Sequence, residues 1–270
     1  MSSKGYALIT GASSGMGREY AHRLADKGWQ LILVALRQDE TDAVAEELKD
    51  LYPDLDVIAI GMNLATLGAA EQLYDTVHKL RPEVEVEMLI NNAGMIHIRH
   101  FRDMTIPQIE QVIALHNTTM ALLCRLFLPA MAERGRGYVL NISSMTYALP
   151  YPFITTYAAT KAFTRVLTKA LRTEYKGTGV RVATIYFGAV DTPLYNLSPK
   201  RRRTLRRIGI MISPQKAVDR ALTMLFRCHS GYIPGLVNKL AVVLCPLLPT
   251  SFIHKIDVVV SKRLATEGSR

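Results

Sequence analysis

Short apolar runs alternate with amphipathic stretches along most of this chain. Residues 6–10, 31–35, 57–60, 88–90, 138–142 and 180–186 are near-continuous apolar runs, the pattern of strands covered on both faces. Between them, residues 18–27, 40–51, 69–80, 106–134 and 156–175 repeat apolar positions at helical spacing. A bend is expected in the longest of these at Pro129, which removes a helix hydrogen bond. Alternating strand and helix predicts an α/β fold, with a doubly wound parallel sheet and helices on both faces. No internal repeat, linker or low-complexity segment divides the chain, so 1–270 reads as one domain. Residues 191–213 break the rhythm and read as a loop or lid. Residues 236–270 read as an apolar tail packed over the cleft.

Composition narrows this picture only a little. The 270 residues are 49% hydrophobic and 21% charged, as in an ordinary globular protein. The first residues run straight into a strand pattern, so no signal peptide is expected. No apolar run reaches the roughly 18 residues a spanning helix needs. Cys124, Cys228 and Cys245 are odd in number and widely spaced, which fits neither a disulfide framework nor a zinc site and points to a reducing, cytosolic setting. His97 and His100 lack neighbouring ligand residues and are read as pocket or surface histidines, so no metal site is expected. The formal net charge of +10 implies attraction to anions without saying which.

The turn after the first strand carries chemistry. Thr10-Gly11-Ala12-Ser13-Ser14-Gly15-Met16-Gly17 joins that strand to the first helix. Glycines let the backbone approach a pyrophosphate, and the helix N-terminus supplies donors and positive potential. Dinucleotide binding is therefore expected through this loop. Arg37 follows the second strand, and residues 31–38 hold no Asp or Glu. An acid there would accept from the adenosine ribose, whereas an arginine can pair with a 2′-phosphate, which favours NADP(H) over NAD(H).

Tyr157 and Lys161 lie four apart on a predicted helix and share a face. An ammonium beside a phenol should favour the phenolate and bring the tyrosine toward neutral pH. Ser144 lies 13 residues upstream of Tyr157, directly after a strand pattern.

Together these motifs resemble the short-chain dehydrogenase/reductase family, in its compact single-domain branch, from residue 6 to about 235. The resemblance implies a Rossmann-like sheet of mostly seven strands, the last near residues 231–234. It implies a catalytic set of Asn117, Ser144, Tyr157 and Lys161, with Asn117 holding a relay water. Cofactor contacts are implied for Gly11, Ser13, Ser14, Gly15, Met16, Gly17, Arg37, Asn63, Tyr157 and Lys161. The Asn91-Asn92-Ala93-Gly94 turn is implied to support the cofactor, through Asn91, Ala93 and Gly94. Gly188, Val190 and Thr192 match the segment at the nicotinamide end. Three positions depart from the family pattern: Phe187 replaces a proline, which should loosen the chain entering the loop, Asn63 replaces an aspartate, and Ser14 stands where NADP-preferring members place a basic residue.

The expected function is hydride transfer between NADP(H) and a ketone or secondary alcohol. The run from Ser143 to Lys161 is similar to that of hydroxysteroid and long-chain 3-oxoacyl reductases, so a lipid-like ketone such as a steroid, 3-oxoacyl or sphingoid ketone is the substrate class. The competing expectation is an idle NADP-binding regulator or scaffold; retention of all four catalytic positions argues against it. Lys200, Arg201, Arg202, Arg203, Arg206 and Arg207 crowd one short segment. It reads first as a solvated lid, with an anionic substrate handle, an acyl carrier or anionic lipid headgroups as alternatives; nucleic acid is not expected. The tail reads as a cover for the cleft, with membrane-surface docking as the alternative. Partners are thus the small-molecule substrate and a second copy in a homodimer paired through 106–134 and 156–175, and the location is cytoplasmic, with peripheral membrane contact as an option.

Overall fold

The computed structural model describes residues 4–148, 151–195, 198–207, 209–231, 233, 236–249, 251 and 253–254. Strands β1 (Lys4–Thr10), β2 (Trp29–Ala35), β3 (Val57–Gly61), β4 (Val86–Asn91), β5 (Gly137–Ser144) and β6 (Val180–Phe187) form one parallel sheet in the order β3-β2-β1-β4-β5-β6. Residues such as Leu31, Ile32, Leu33 and Val34 are all fully buried, because both faces of the sheet are covered. A separate two-stranded pair joins β7 (Ala189–Val190) to β8 (Met211–Ile212).

The sheet has six strands among the described residues, where seven were expected. The segment assigned to the seventh lies partly outside those residues. Its start does return along β6: the Gly231 amide donates to the Thr184 carbonyl at 2.8 Å, and the Thr184 amide donates to Ser230 Oγ at 3.1 Å.

One face is covered by α1 (Gly15–Ala25), α2 (Gln38–Leu51) and α8 (Pro214–Phe226), which contribute Tyr20, Leu24, Val44, Leu48, Val218 and Leu225 to its core. The sequence reading passed over α8, although Ser213 caps it by accepting from the Lys216 amide and Pro214 opens it. The other face carries α3 (Ala69–Leu80) and α5 (Met120–Glu133), with Leu73, Val77, Phe127 and Leu128 buried against the strands. Beside α5 lies α6 (Thr155–Glu174), whose Leu167 and Leu171 join the same core.

The expected helix over 106–134 is real but not uniform. It begins as α4 (Ile106–Ile113), opened by a capping box at Thr105 and Gln108. Residues Ala114–Thr119 then form a π-helical stretch, and α5 resumes α geometry. Pro129 sits inside α5 without ending it, so the irregularity lies upstream of the expected bend. By length and mean hydropathy of 1.3, Ile106–Glu133 also passes the spanning-helix test that no segment was expected to pass. Half of that apolar window is packed inside the fold, as in a core helix.

Beyond β7 come α7 (Pro199–Arg207) and, after α8, α9 (Leu236–Leu244). Asp191 accepts from both Arg202 and Arg206, and Arg202 also donates to the Thr192 carbonyl, which ties α7 to the end of β7. Helix α9 packs on the 3-10 turn Met145–Ala148 that follows β5, and its Asn238 lies against Gly188.

Candidate active site

Strand order reverses between β1 and β4, and a crevice opens at their carboxyl ends, as it does at the switch point of open α/β sheets. The crevice is an open cleft of about 480 Å³. Gly11, Ser13, Ser14, Gly15 and Met16 line one end, with Leu36 and Asn63 beside them, and Ala93, Gly94, Tyr157, Lys161 and Thr192 line the rest.

The loop from β1 to α1 is built for close approach. Gly11 has φ of 69°, and a Cβ at Gly17 would collide with the Gly11 carbonyl, so the turn can close only without side chains there. Ser14 has extended φ and ψ and offers no side-chain cap, and the first turn of α1 holds no acid. The amides at this helix start are thereby left for an anion. Across the crevice, Thr10 Oγ1 accepts from the Asn92 and Ala93 amides, both at 3.0 Å, and Asn92 Nδ2 donates to the Thr10 carbonyl. Thr10 thus clamps the 91–94 turn to β1. A tight glycine loop, free amides and a cleft of this size fit a dinucleotide.

Three of the four predicted catalytic residues, Ser144, Tyr157 and Lys161, meet at the far end. Ser144 ends β5; its hydroxyl donates to the Phe187 carbonyl at 3.3 Å and accepts from the Thr146 amide. Desolvation by burial, with Tyr195 nearby, pushes the Tyr157 phenol well above its usual range, and the adjacent Ser144 offsets only part of this. Lys161 Nζ lies 5.5 Å from the Tyr157 ring centroid and donates to the Ile142 carbonyl at 3.0 Å. Burial lowers its pKa to about 8. The expectation that Lys161 draws the tyrosine toward neutral pH is therefore not met in this arrangement. The ammonium is spent on a strand carbonyl, and both groups sit where charge is poorly solvated. Asn117 lies in the π-helical stretch, a feature often found at functional sites. Its Oδ1 is buried without a hydrogen-bond partner.

Sequence reasoning named His116 only as the neighbour of Asn117. The structure buries it at the centre of the site. His116 Nε2 accepts from the Met95 amide at 3.0 Å, and Nδ1 lies 2.9 Å from Thr160 Oγ1. Thr160 Oγ1 donates its own proton to the Tyr157 carbonyl at 2.8 Å, so Nδ1 is the protonated nitrogen. The imidazole is neutral: burial and then the nearby Lys161 charge hold its pKa well below the usual value. Its ring meets Tyr157 edge-on at 5.6 Å. His116 thereby couples the turn under the cofactor cleft to the helix bearing Tyr157.

A second buried set supports α6. Asn91 Nδ2 donates to Asn141 Oδ1 at 2.8 Å, and Asn141 Nδ2 donates to Thr168 Oγ1 at 3.0 Å. Thr168 and Thr164 each donate to the carbonyl four residues back, and Ser143 Oγ donates to the Lys161 carbonyl. Asn91 is thus a buried strut beneath the cofactor loop, and it does not line the cleft.

Four more predicted cofactor residues, Gly17, Arg37, Gly188 and Val190, lie off the cleft wall. Val190 is buried in the core, and Gly188 faces Asn238. Arg37 is exposed; it pairs with Asp39 at 2.5 Å and Glu40 at 3.5 Å instead of pointing into the cleft. Phe187, in the place of a proline, is buried, and its carbonyl receives the Ser144 hydroxyl.

A glycine-rich loop at the switch point and a Ser-Tyr-Lys cluster beside it thus share one cleft of a doubly wound fold. Residues 5–202 match the model of the short chain dehydrogenase family, and the chain belongs to that family. It is 33% identical over 194 residues to the very-long-chain 3-oxoacyl-CoA reductase of Mus musculus, an alignment covering 70% of this chain and 60% of that protein. The match thus spans about 60% of the length of that relative. A short-chain dehydrogenase from Sphingobium yanoikuyae in complex with NADPH superposes with a TM-score of 0.77, at 28% identity, over 97% of this chain and 96% of that one. A 7beta-hydroxysteroid dehydrogenase superposes with a TM-score of 0.79, at 27% identity, over 89% of this chain and 91% of the other.

Proposed function

We propose that this chain is an NADP(H)-dependent oxidoreductase that reduces a ketone carried on a lipid-like body to a secondary alcohol. The observation that carries the reading is convergence: Ser144, Tyr157 and Lys161 meet at one end of the cleft whose other end is the Gly11–Gly17 loop. When bound, the nicotinamide supplies the hydride that the carbonyl carbon accepts. Ser144 Oγ would hydrogen-bond the carbonyl oxygen, where negative charge gathers. Tyr157, held neutral by burial, is a proton donor at pH 7 and would pass its phenolic proton to that oxygen. The high phenol pKa favours the reductive direction, because the acid form is already present. Lys161, charged below about 8, would stabilise the phenolate left behind. Asn117, with its unsatisfied buried oxygen, is a candidate to hold a water that returns the proton.

NADP(H) over NAD(H) rests on Arg37 and on the absence of an acid along residues 31–38. Arg37 would exchange Asp39 and Glu40 for a 2′-phosphate. The NADPH-bound relative supports the same choice. A lipid-like substrate is supported by the apolar α9 beside the site and by the 3-oxoacyl and hydroxysteroid relatives. A homodimer through α4, α5 and α6 is part of this reading, since Ile113 on α4 and Phe163 and Val166 on α6 are exposed apolar side chains.

The test is a panel of steroid, 3-oxoacyl thioester, sphingoid and small ketones, followed by loss of NADPH absorbance, with Tyr157→Phe as the control. Turnover of a bulky apolar ketone, lost by about 10²–10⁴-fold in Tyr157→Phe while cofactor still binds, is the expected outcome. No turnover across the panel with tight NADPH binding would favour the idle binding protein instead.

A further inference from the structure

We propose that the mouth of the cleft is a docking surface for an anionic lipid bilayer, with α9 as the apolar contact and α7 as the cationic rim. Leu240, Val243, Leu244 and Leu247 recur at i, i+3, i+4 and i+7, and all four are exposed, from 51% to 75%. They form one stripe along α9 and the short turn that follows it. Asn238, Val242 and Cys245, on the other side, are half-buried, so the stripe is the face turned outward. The helix is nonetheless held in place. Asn238 abuts Gly188, the helix packs on the 145–148 turn, and the Tyr151 hydroxyl donates to Cys245 Sγ at 3.6 Å.

Charge says what covers the stripe. Helix α7 carries six cations and no acid across Pro199–Arg207, and none of its described side chains is buried. Two of them, Arg202 and Arg206, anchor the helix on Asp191, three residues from Gly188. Helices α9 and α7 therefore both border the segment 188–192, α9 through Asn238 and α7 through Arg202 and Arg206. Leu194 and Ile210, exposed at either side of α7, extend the apolar area. An apolar stripe next to clustered Lys and Arg matches the acyl boundary and headgroup phosphates of an anionic leaflet. A second copy is a poorer occupant, because two-fold pairing would set the cationic rim against itself. This inference is independent of the reductase reading, since binding is measured without turnover.

The experiment is co-sedimentation of the full chain with vesicles of phosphatidylcholine alone and of phosphatidylcholine mixed with phosphatidylglycerol. Wild type should bind the mixed vesicles and leave the neutral ones, and binding should fall as salt rises. Lys200→Glu with Arg203→Glu should weaken binding at least roughly 25-fold, since each surface cation contributes about fivefold. Leu240→Ser with Leu244→Ser should weaken it roughly tenfold or more by removing apolar burial. Both pairs are exposed, so thermal melting should be unchanged and serves as the folding control. Failure to sediment with anionic vesicles, or equal binding by wild type and both variants, overturns the proposal. So does a leucine variant that turns a dimer monomeric in light scattering, which would assign the stripe to a second copy.

Discussion

Replacing His116 with Phe isolates what the buried imidazole does. Phenylalanine keeps a ring against Tyr157 at similar volume but removes both ring nitrogens. The Met95 amide would lose its acceptor, Nε2 at 3.0 Å, and Thr160 Oγ1 would lose the donor at 2.9 Å while still donating to the Tyr157 carbonyl. An orphaned buried donor costs about 1–3 kcal/mol and a lost neutral bond about 0.5–1.5 kcal/mol, so destabilisation of about 2–4 kcal/mol is expected. For a chain of this size that is a fall in Tm of roughly 4–7 °C. The catalytic effect should exceed the stability effect, because the 91–95 turn and the Tyr157 backbone lose their common anchor. A displacement near 1 Å at reacting groups costs about 10²-fold in rate. The assays are a thermal melt and kcat with the ketone found in the panel, at a temperature where the variant is fully folded. His116→Gln, which can still accept from Met95, should recover part of both. A His116→Phe variant with wild-type Tm and kcat would refute the coupling.

Arg37→Ala should weaken NADPH binding by about tenfold or more and leave NADH nearly unchanged, as measured by titration of both cofactors; equal losses would show that Arg37 does not meet the 2′-phosphate. Reductive kcat/KM should fall as pH rises through about 8, where buried Lys161 loses its charge, and Lys161→Arg should remove that limb. The unfolded chain keeps the Lys161 proton up to its ordinary value of 10.5, so this group adds stability as pH rises from about 8 to 10.5, which melts across that window can check. Light scattering should report a dimer, and Phe163→Asp with Val166→Asp, both exposed on α6, should give a monomer.

Much of the frame was legible because its signals are local. Residues 69–80 were read to the residue as α3, and the strands were placed within about two residues, since buried parallel strands write continuous apolar runs. Helix α8 was legible and overlooked: Ser213, Pro214 and the apolar set Ala217, Val218, Ala221, Leu222 and Leu225 carry cap and period, but follow a segment that breaks both. The π-helical stretch at 114–119 was not legible, because its hydrogen bonds are chosen by what packs around it. The same holds for His116. Its two partners lie 21 and 44 residues away, and only the fold brings them together. The direction of the tyrosine pKa was misread for a related reason: spacing places Lys161 beside Tyr157, but burial and the Ile142 carbonyl decide where its charge is used.

The threonine face of α6 carries a lesson for redesign. A helix laid on a sheet through leucines can roll or slide by a fraction of a turn and repack. Here Thr160 bonds His116, Thr168 accepts from Asn141 and the Lys161 carbonyl accepts from Ser143, so the helix is indexed to its neighbours in a single notch. A slip of one residue would unseat every one of them at once. Directed changes of substrate scope should therefore leave α6 alone and draw their diversity from α7 and α9, whose outward positions can vary without shifting where Tyr157 stands.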